Sequence, residues 1–548
     1  MDALLSGRKF IPLAGVLEGG CGTGIGRMGM FVRKLTQQII CDYDQAIAHT
    51  KQGKLQGVIS DQTYVFRGIA YARAKRFHMP EPVEPWEGVR EAIVYGHVCP
   101  EIMTPIPHDQ YTVPHYFYPQ DEHCQYLNIW SQSLDKDAKR PVMVWLHGGG
   151  FATGSGIEHF AYDGENLSRQ GDVVVVTLNH RLNVLGFLDL SGYGKEYQNS
   201  GNLGMADIVA ALSWIQDNIS AFGGDADNIT VFGQSGGGAK VAALLQMPAA
   251  DGLFHKAVIQ SGVTRHFPEY DRAQACKDTE QILSYLGITA GRIKEMEHVP
   301  YCRLAEAAGS LGEGAAMRFG PTADGEYYKG SVFDVGIREH AKQIPVIVGS
   351  VLGEFSNNFN YRLDDGRKNQ WDMQKRRRLI EERLGEDADR AVMAFQKAYP
   401  GKNIVDLLFV DTMFRTGALE YADLRAEQGC DNTYNYSFNL EFPLYGGTLP
   451  WHNAEIPYIF HNADYIEPAY IPGVTEWLQD IMCNAWVSFA ASGEPAAKEM
   501  PGWEPYTKEC PATMIFDREI EVMYKKDREL MQVLSSLDRK LEPAQRDC

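Results

Sequence analysis

Ile229-Thr230-Val231-Phe232-Gly233-Gln234-Ser235-Gly236-Gly237 is the stretch on which the reading of this chain turns. The first four residues are β-branched or aromatic and do not alternate with polar ones, as expected of a strand buried on both faces. Residues 238–246, Gly-Ala-Lys-Val-Ala-Ala-Leu-Leu-Gln, are rich in small residues and compatible with a helix. Between strand and helix stands Gly-x-Ser-x-Gly. A strand that turns this sharply into a helix lifts the serine onto a strained tip, and glycine is needed two residues to either side because a Cβ would clash. The free N–H groups and positive end of the following helix then point at charge developing beside the serine.

Working outward, Val142-Met143-Val144-Trp145-Leu146 reads as a second buried strand and ends in His147-Gly148-Gly149-Gly150-Phe151. Successive glycines let backbone N–H groups approach a substrate oxygen. A tetrahedral intermediate needs two or three such donors about 2.7–3.1 Å from its oxyanion. Gly149 and Gly150 are expected to supply two, and Gly236 a third. His147 is expected to orient this loop rather than to act as a base. Further buried runs are Val173-Val174-Val175-Val176-Thr177-Leu178-Asn179, Ala257-Val258-Ile259 and Pro345-Val346-Ile347-Val348-Gly349, and residues 207–219 have helical spacing. Strands alternating with helices predict an α/β fold with a mostly parallel, twisted central sheet and right-handed crossovers.

Composition narrows the function classes. The chain has 548 residues, 44% hydrophobic, 11% aromatic and 22% charged, which excludes a disordered or collagen-like protein. Asp+Glu exceed Lys+Arg, 71 to 52, for a net charge of −19, which disfavours nucleic acid as a partner and favours neutral or cationic small molecules. The one strong basic run, Lys375-Arg376-Arg377-Arg378, lies among Glu381, Glu382 and Glu386 and reads as a solvated helix face. No run of 18 apolar residues occurs, so no membrane span is expected. The segment before Cys21 makes a poor signal peptide, since its short apolar run holds Pro12 and meets Glu18 at once; a cytoplasmic location is expected, with secretion as the alternative. Gly24-x-Gly26-x-x-Gly29 follows no strand and is read as a chance match to a dinucleotide fingerprint. The ten cysteines include no CxxC pair and no Cys/His cluster with zinc spacing. No metal or cofactor is expected, and no long repeat is present.

From about residue 46 to 517 the chain resembles the type-B carboxylesterases, the cholinesterase-like branch of the α/β-hydrolase fold. The resemblance rests on Phe66-Arg67-Gly68-Ile69-Ala70-Tyr71-Ala72, Glu122-His123-Cys124-Gln125-Tyr126-Leu127-Asn128, Asn179-His180-Arg181, Gly186-Phe187-Leu188, Gly201-Asn202-Leu203-Gly204 and Phe222-Gly223-Gly224-Asp225. It implies one hydrolase domain over 46–548, with helical insertions around a gorge, after an N-terminal extension (1–45) of unassigned role. The family's acid segment, Gly-x-x-x-x-Glu, matches Gly349 to Glu354, and its His-x-x-Glu segment matches His452 to Glu455. Ser235, Glu354 and His452 thus follow the chain order required of this fold. The chemistry asks for the same three types: a base to take the serine's proton, and a carboxylate to hold the imidazole in the right tautomer. On residue type alone His147 and His461 remain alternative bases, and Asp324 an alternative acid.

The resemblance further implies a disulfide between Cys99 and Cys124, contributing about 3.5 kcal/mol in a loop-entropy model, although in a reducing compartment both could stay thiols. The loop between them holds Tyr111, Tyr116, Phe117 and Tyr118 but no tryptophan, which argues against choline esters. Two departures from the family stand out: Gln234 and Gly236 replace the usual Glu and Ala around the serine, and Phe355 replaces a common glycine after the acid. Gly236 is expected to keep its N–H at some loss of backbone rigidity. The implied activity is that of a serine carboxylesterase acting on esters of small uncharged molecules through an acyl-enzyme. The alternative is a catalytically weak binding or adhesion module on the same scaffold.

Overall fold

The computed structural model describes residues 39–42, 44–102, 116–265, 271–312, 314–355, 367–525 and 527–541. Most of the N-terminal extension, with its Gly24-x-Gly26-x-x-Gly29 and Cys21, lies outside these residues, as does Tyr111.

The central sheet has twelve strands. In chain order they are β1 (Ile39–Ile40), β2 (Val58–Ser60), β3 (Thr63–Ala70), β4 (Tyr126–Ser131), β5 (Arg140–Leu146), β6 (Val174–Leu178), β7 (Gly224–Gln234), β8 (Lys256–Gln260), β9 (Val346–Val351), β10 (Thr433–Phe438), β11 (Ala512–Phe516) and β12 (Glu521–Tyr524). Their spatial order is β1-β2-β3-β4-β6-β5-β7-β8-β9-β10-β11-β12. From β6 to β11 every neighbouring pair is parallel. The pairs at either margin are antiparallel.

The parallel strands are covered on both faces, which is why they lack polar alternation. On β5, Val142, Val144 and Leu146 enter one apolar cluster, while Met143 and Trp145 enter the other. Trp145 is fully buried and touches Tyr162, Phe232 and Phe460 at ring distances of 5.0, 5.0 and 5.2 Å. Helix α1 (Leu203–Asn218) begins four residues before the expected 207, and α2 (Gly236–Leu245) begins immediately after Ser235. Two further helices are α3 (Phe414–Glu427) and α4 (Val474–Ser492). The basic run lies on a helix, Met373–Leu384, where Arg377 pairs with Glu381 at 3.1 Å. Among the described residues no helix is long and apolar enough to cross a membrane.

β5, β7 and β9 end on the same side of the sheet. Their C-terminal ends deliver the glycine loop, Ser235 and Glu354, in line with the tendency of open α/β sheets to hold ligands beyond their carboxyl ends.

Candidate active site

Ser235 joins β7 to α2 with φ 57° and ψ −126°. A non-glycine residue held there stores about 1–3 kcal/mol of backbone strain, which the surroundings must over-determine. They do so by close packing. A Cβ at Gly233 would lie 2.5 Å from the Gly237 carbonyl carbon, and one at Gly237 would lie 1.9 Å from the Leu146 oxygen. The Ser235 amide donates to the Gln260 carbonyl at 2.8 Å, and its own carbonyl accepts from Ala239 at 2.9 Å.

Gly149 and Gly150 have φ of 80° and 63°, conformations in which side chains are strained. Among the described residues their amides donate to no backbone carbonyl. A Cβ at Gly236 would lie 2.2 Å from the Gly150 oxygen. The glycine after the serine therefore lets the loop close onto the elbow, where the sequence suggested only a loss of rigidity. His147 is buried, its Nδ1 bonds the Gly148 oxygen at 2.9 Å, and its ring stacks on His180 at 5.0 Å. Burial, then the nearby Lys240, pushes its imidazole well below the usual range. A neutral, loop-bound His147 fits the orienting role expected of it.

Glu354 follows β9 with φ 44° and forms an isolated bridge to Trp451, bringing its side chain against the next residue, His452. Its Oε2 meets His452 Nδ1 directly, across 98 positions of sequence. Its Oε1 accepts from Ser261 Oγ at 2.6 Å and from the Val351 amide at 3.0 Å. Both side chains are buried. The competing groups lie elsewhere: His461 pairs with Asp480 at 2.6 Å, and Asp324 caps its own turn through the amides of Glu326, Tyr327 and Tyr328.

Several contacts around the histidine are not visible in the sequence, although Gln234 and Phe355 are named there as departures from the family. Gln234 Nε2 donates to the His452 carbonyl. The Phe355 ring stands 4.0 Å from the His452 ring, tilted by 33°, and Phe414 follows at 4.9 Å. Asp411 and Glu455 are buried beside Glu354. Burial first, and the charge of Glu354 second, push Asp411 up to about 7 and Glu455 up to about 8. Asp411 accepts from the amides of Arg415 at 2.8 Å and Met413 at 3.2 Å. Gln260 donates to Glu455 at 3.2 Å. Gln234 and Glu455 lie in quoted motifs and Phe355 is a named departure; Phe414, Asp411 and Gln260 are not singled out by the sequence.

A small cavity of about 40 Å³ adjoins the elbow, bounded by Gly148, Gly149, Glu158, Tyr162, Gln234 and Asn453. Burial pushes the Glu158 carboxyl up to about 8. Among the described residues no group of three or more His, Cys, Asp or Glu is placed to hold a metal ion. Cys99 and Cys124 lie side by side as thiols, one of the two states that the sequence left open. Both are buried, the Cys124 thiol is pushed well up by burial and by Cys99, and Cys99 Sγ accepts from the Leu182 amide at 3.2 Å. An apolar, buried site of this kind suits neutral thiols.

Residues 44–533 match the model of the carboxylesterase family. The para-nitrobenzyl esterase of Bacillus subtilis (strain 168) is 34% identical over 503 residues, covering 89% of this chain and 98% of that one. The phenmedipham hydrolase of Pseudarthrobacter oxydans is 33% identical over 496 residues, covering 86% of this chain and 94% of that one. Among solved structures, an esterase from anaerobic Clostridium hathewayi that can hydrolyse aliphatic aromatic polyesters superposes with a TM-score of 0.86 at 44% identity, covering 91% of this chain and 100% of that one. The chain belongs to the carboxylesterase family, type B, and is a carboxylic-ester hydrolase.

Proposed function

We infer that Ser235 is the nucleophile, His452 its general base and Glu354 the carboxylate that orients the imidazole. The observation that carries this reading is the direct contact of Glu354 Oε2 with His452 Nδ1, which leaves Nε2 as the atom that exchanges protons with substrate and serine. In the first half-reaction Ser235 Oγ attacks the ester carbonyl as its proton passes to His452. The new oxyanion is held by the amides of Gly149, Gly150 and Gly236. Collapse breaks the bond to the alcohol oxygen, which takes the proton from His452. Water then repeats the sequence on the acyl-enzyme and releases the acid.

The substrates we assign are esters of uncharged molecules. Phe355 and Met317, respectively 50% and 57% exposed, offer apolar surface beside His452 and Gly150. The C. hathewayi esterase acts on aliphatic aromatic polyesters, and aromatic esters are a reasonable first panel for this chain. A cytoplasmic location remains our assignment. The test is Ser235→Ala assayed on p-nitrophenyl butyrate. Hydrolysis should fall to background and labelling by a fluorophosphonate should vanish; turnover above a few per cent of wild type would overturn the assignment.

A further inference from the structure

The helix that begins just after Ser235 is made of glycine, alanine, valine and leucine, with one exception. Lys240 lies in its middle and is wholly buried. Burying an amine there is costly unless it is bonded, and an apolar side chain would fill the space without that cost. Lys240 Nζ donates to the main-chain carbonyl of His147 at 2.9 Å. It also sits 5.8 Å from the centre of the Phe151 ring, and Glu158 is the carboxyl whose charge acts on it. His147 and Phe151 bracket Gly148, Gly149 and Gly150. The lysine therefore reaches from the serine's own helix to the two ends of the glycine loop.

The same two segments are also in close contact at Gly237, where a Cβ would lie 2.9 Å from the His147 oxygen. This contact fixes how near the loop comes to the helix. Within the loop, the Gly148 carbonyl is bonded by His147 Nδ1 at 2.9 Å, and the Gly149 carbonyl accepts from the amides of Ala152 at 3.2 Å and Thr153 at 3.0 Å. Those bonds set the glycine peptides relative to the loop itself; the Lys240 bond to the carbonyl that leads into them sets the loop's entry relative to the serine's helix.

We propose that Lys240 is a positioning residue for ester hydrolysis: its Nζ fixes the His147 carbonyl, and thereby holds the amides of Gly149 and Gly150 aimed at the oxygen that becomes negative. Lys240 touches neither substrate nor Ser235 Oγ and exchanges no proton in the reaction. The inference rests on the oxyanion-hole reading given above.

The test compares wild type with Lys240→Met, which keeps the length and apolar stem but cannot donate, and with Lys240→Gln, which is shorter and still a donor. Lys240→Met should lower kcat on p-nitrophenyl butyrate about tenfold to a hundredfold, less than the 10²–10³ for loss of an oxyanion donor itself, with KM changed by less than about threefold. Binding of an aryl trifluoromethyl ketone, which captures serine as a hemiketal oxyanion, should weaken by the same factor as kcat/KM falls. Lys240→Gln should lie between the two. A purely structural lysine would lower the melting temperature and leave the ketone's affinity per folded molecule unchanged, and that outcome overturns the proposal. So does a kcat within twofold of wild type in a folded variant. If Lys240→Met does not fold, Lys240→Gln carries the same two comparisons. Fluorophosphonate labelling keeps the underlying reading separate: Lys240→Met should still label to one group per chain, more slowly. Failure of wild type to label would instead remove Ser235 as nucleophile.

Discussion

The backbone of Gly150 occupies the space that a side chain would need at Gly236, with its oxygen 2.2 Å from the Cβ position there. The loop that carries two proposed oxyanion donors and the helix end that carries the third are thus packed against each other without a side chain between them. Gly236→Ala should push the loop outward and misplace at least one donor. We expect kcat on p-nitrophenyl butyrate to fall by roughly tenfold to a hundredfold, within the range for a lost or misaimed oxyanion donor. Steady-state kinetics beside a thermal melt would check this. An active Gly236→Ala at wild-type kcat would mean that the loop yields without cost.

Asp411 predicts how stability varies with pH. Its folded-state value, about 7, lies above the usual carboxylate range that it has when unfolded. Between the two values the folded chain holds the proton more tightly, so stability should decline as pH rises from about 4 to about 7 and the loss should then level off. Asp411→Asn removes that ionisation; its one oxygen can still accept from the Arg415 amide, while its nitrogen faces the Met413 amide, a cost that does not vary with pH. Its stability relative to wild type, measured by urea unfolding, should therefore improve between pH 5 and pH 8, by an amount on the order of a few kcal/mol. A difference that stays flat with pH would contradict a protonated Asp411.

Much of this site was legible in the sequence because its constraints are local. A Cβ at Gly233 would meet Gly237, four residues on, and the Gly-x-Ser-x-Gly pattern carries this constraint, although Gly237 itself is held by Leu146 and His147 at the end of the neighbouring strand. The groups around Glu354 were not legible, since Asp411 reaches it from the segment leading into α3 and Phe355 meets His452 through tertiary packing. Strand β10 escaped for a related reason. Its Thr433-Tyr434-Asn435-Tyr436-Ser437-Phe438 carries polar residues that look solvent-facing, yet all are buried. Asn435 is satisfied by the Val348 carbonyl at 2.9 Å and by Thr513 at 2.8 Å, partners remote in sequence.

Phe355 offers an aromatic face to His452 at 4.0 Å while half of its surface stays in solvent. A ring there favours the imidazolium that forms when Ser235 gives up its proton, a cation–π effect of about 0.5–2 kcal/mol. Phe355→Ala should lower kcat several-fold and move the acid limb of the kcat/KM profile to lower pH by roughly half a unit, since the protonated ring loses a stabilising neighbour. Phe355→Leu, apolar but without a π-face, should shift the limb in the same way. An unmoved limb in both variants would limit Phe355 to a packing role.

Gln234 ties the serine's strand to the histidine by donating from Nε2 to the His452 carbonyl. Both groups are buried, so the bond cannot readily be replaced by water. A carboxylate in place of the amide cannot donate, and once ionised it would set its charge against a carbonyl oxygen. Gln234→Glu should therefore work only while the introduced carboxyl keeps its proton. Burial near Glu354 favours the protonated form and raises its pKa. We expect near-normal kcat at low pH and a new alkaline limb, absent from wild type, above which activity drops about tenfold. Gln234→Met, of similar length and without a donor, should show the lower kcat at every pH and no such limb. If Gln234→Glu instead keeps wild-type kcat up to about pH 9, the bond to His452 is not what holds the imidazole in register, and its contacts with Glu354 and Phe355 suffice.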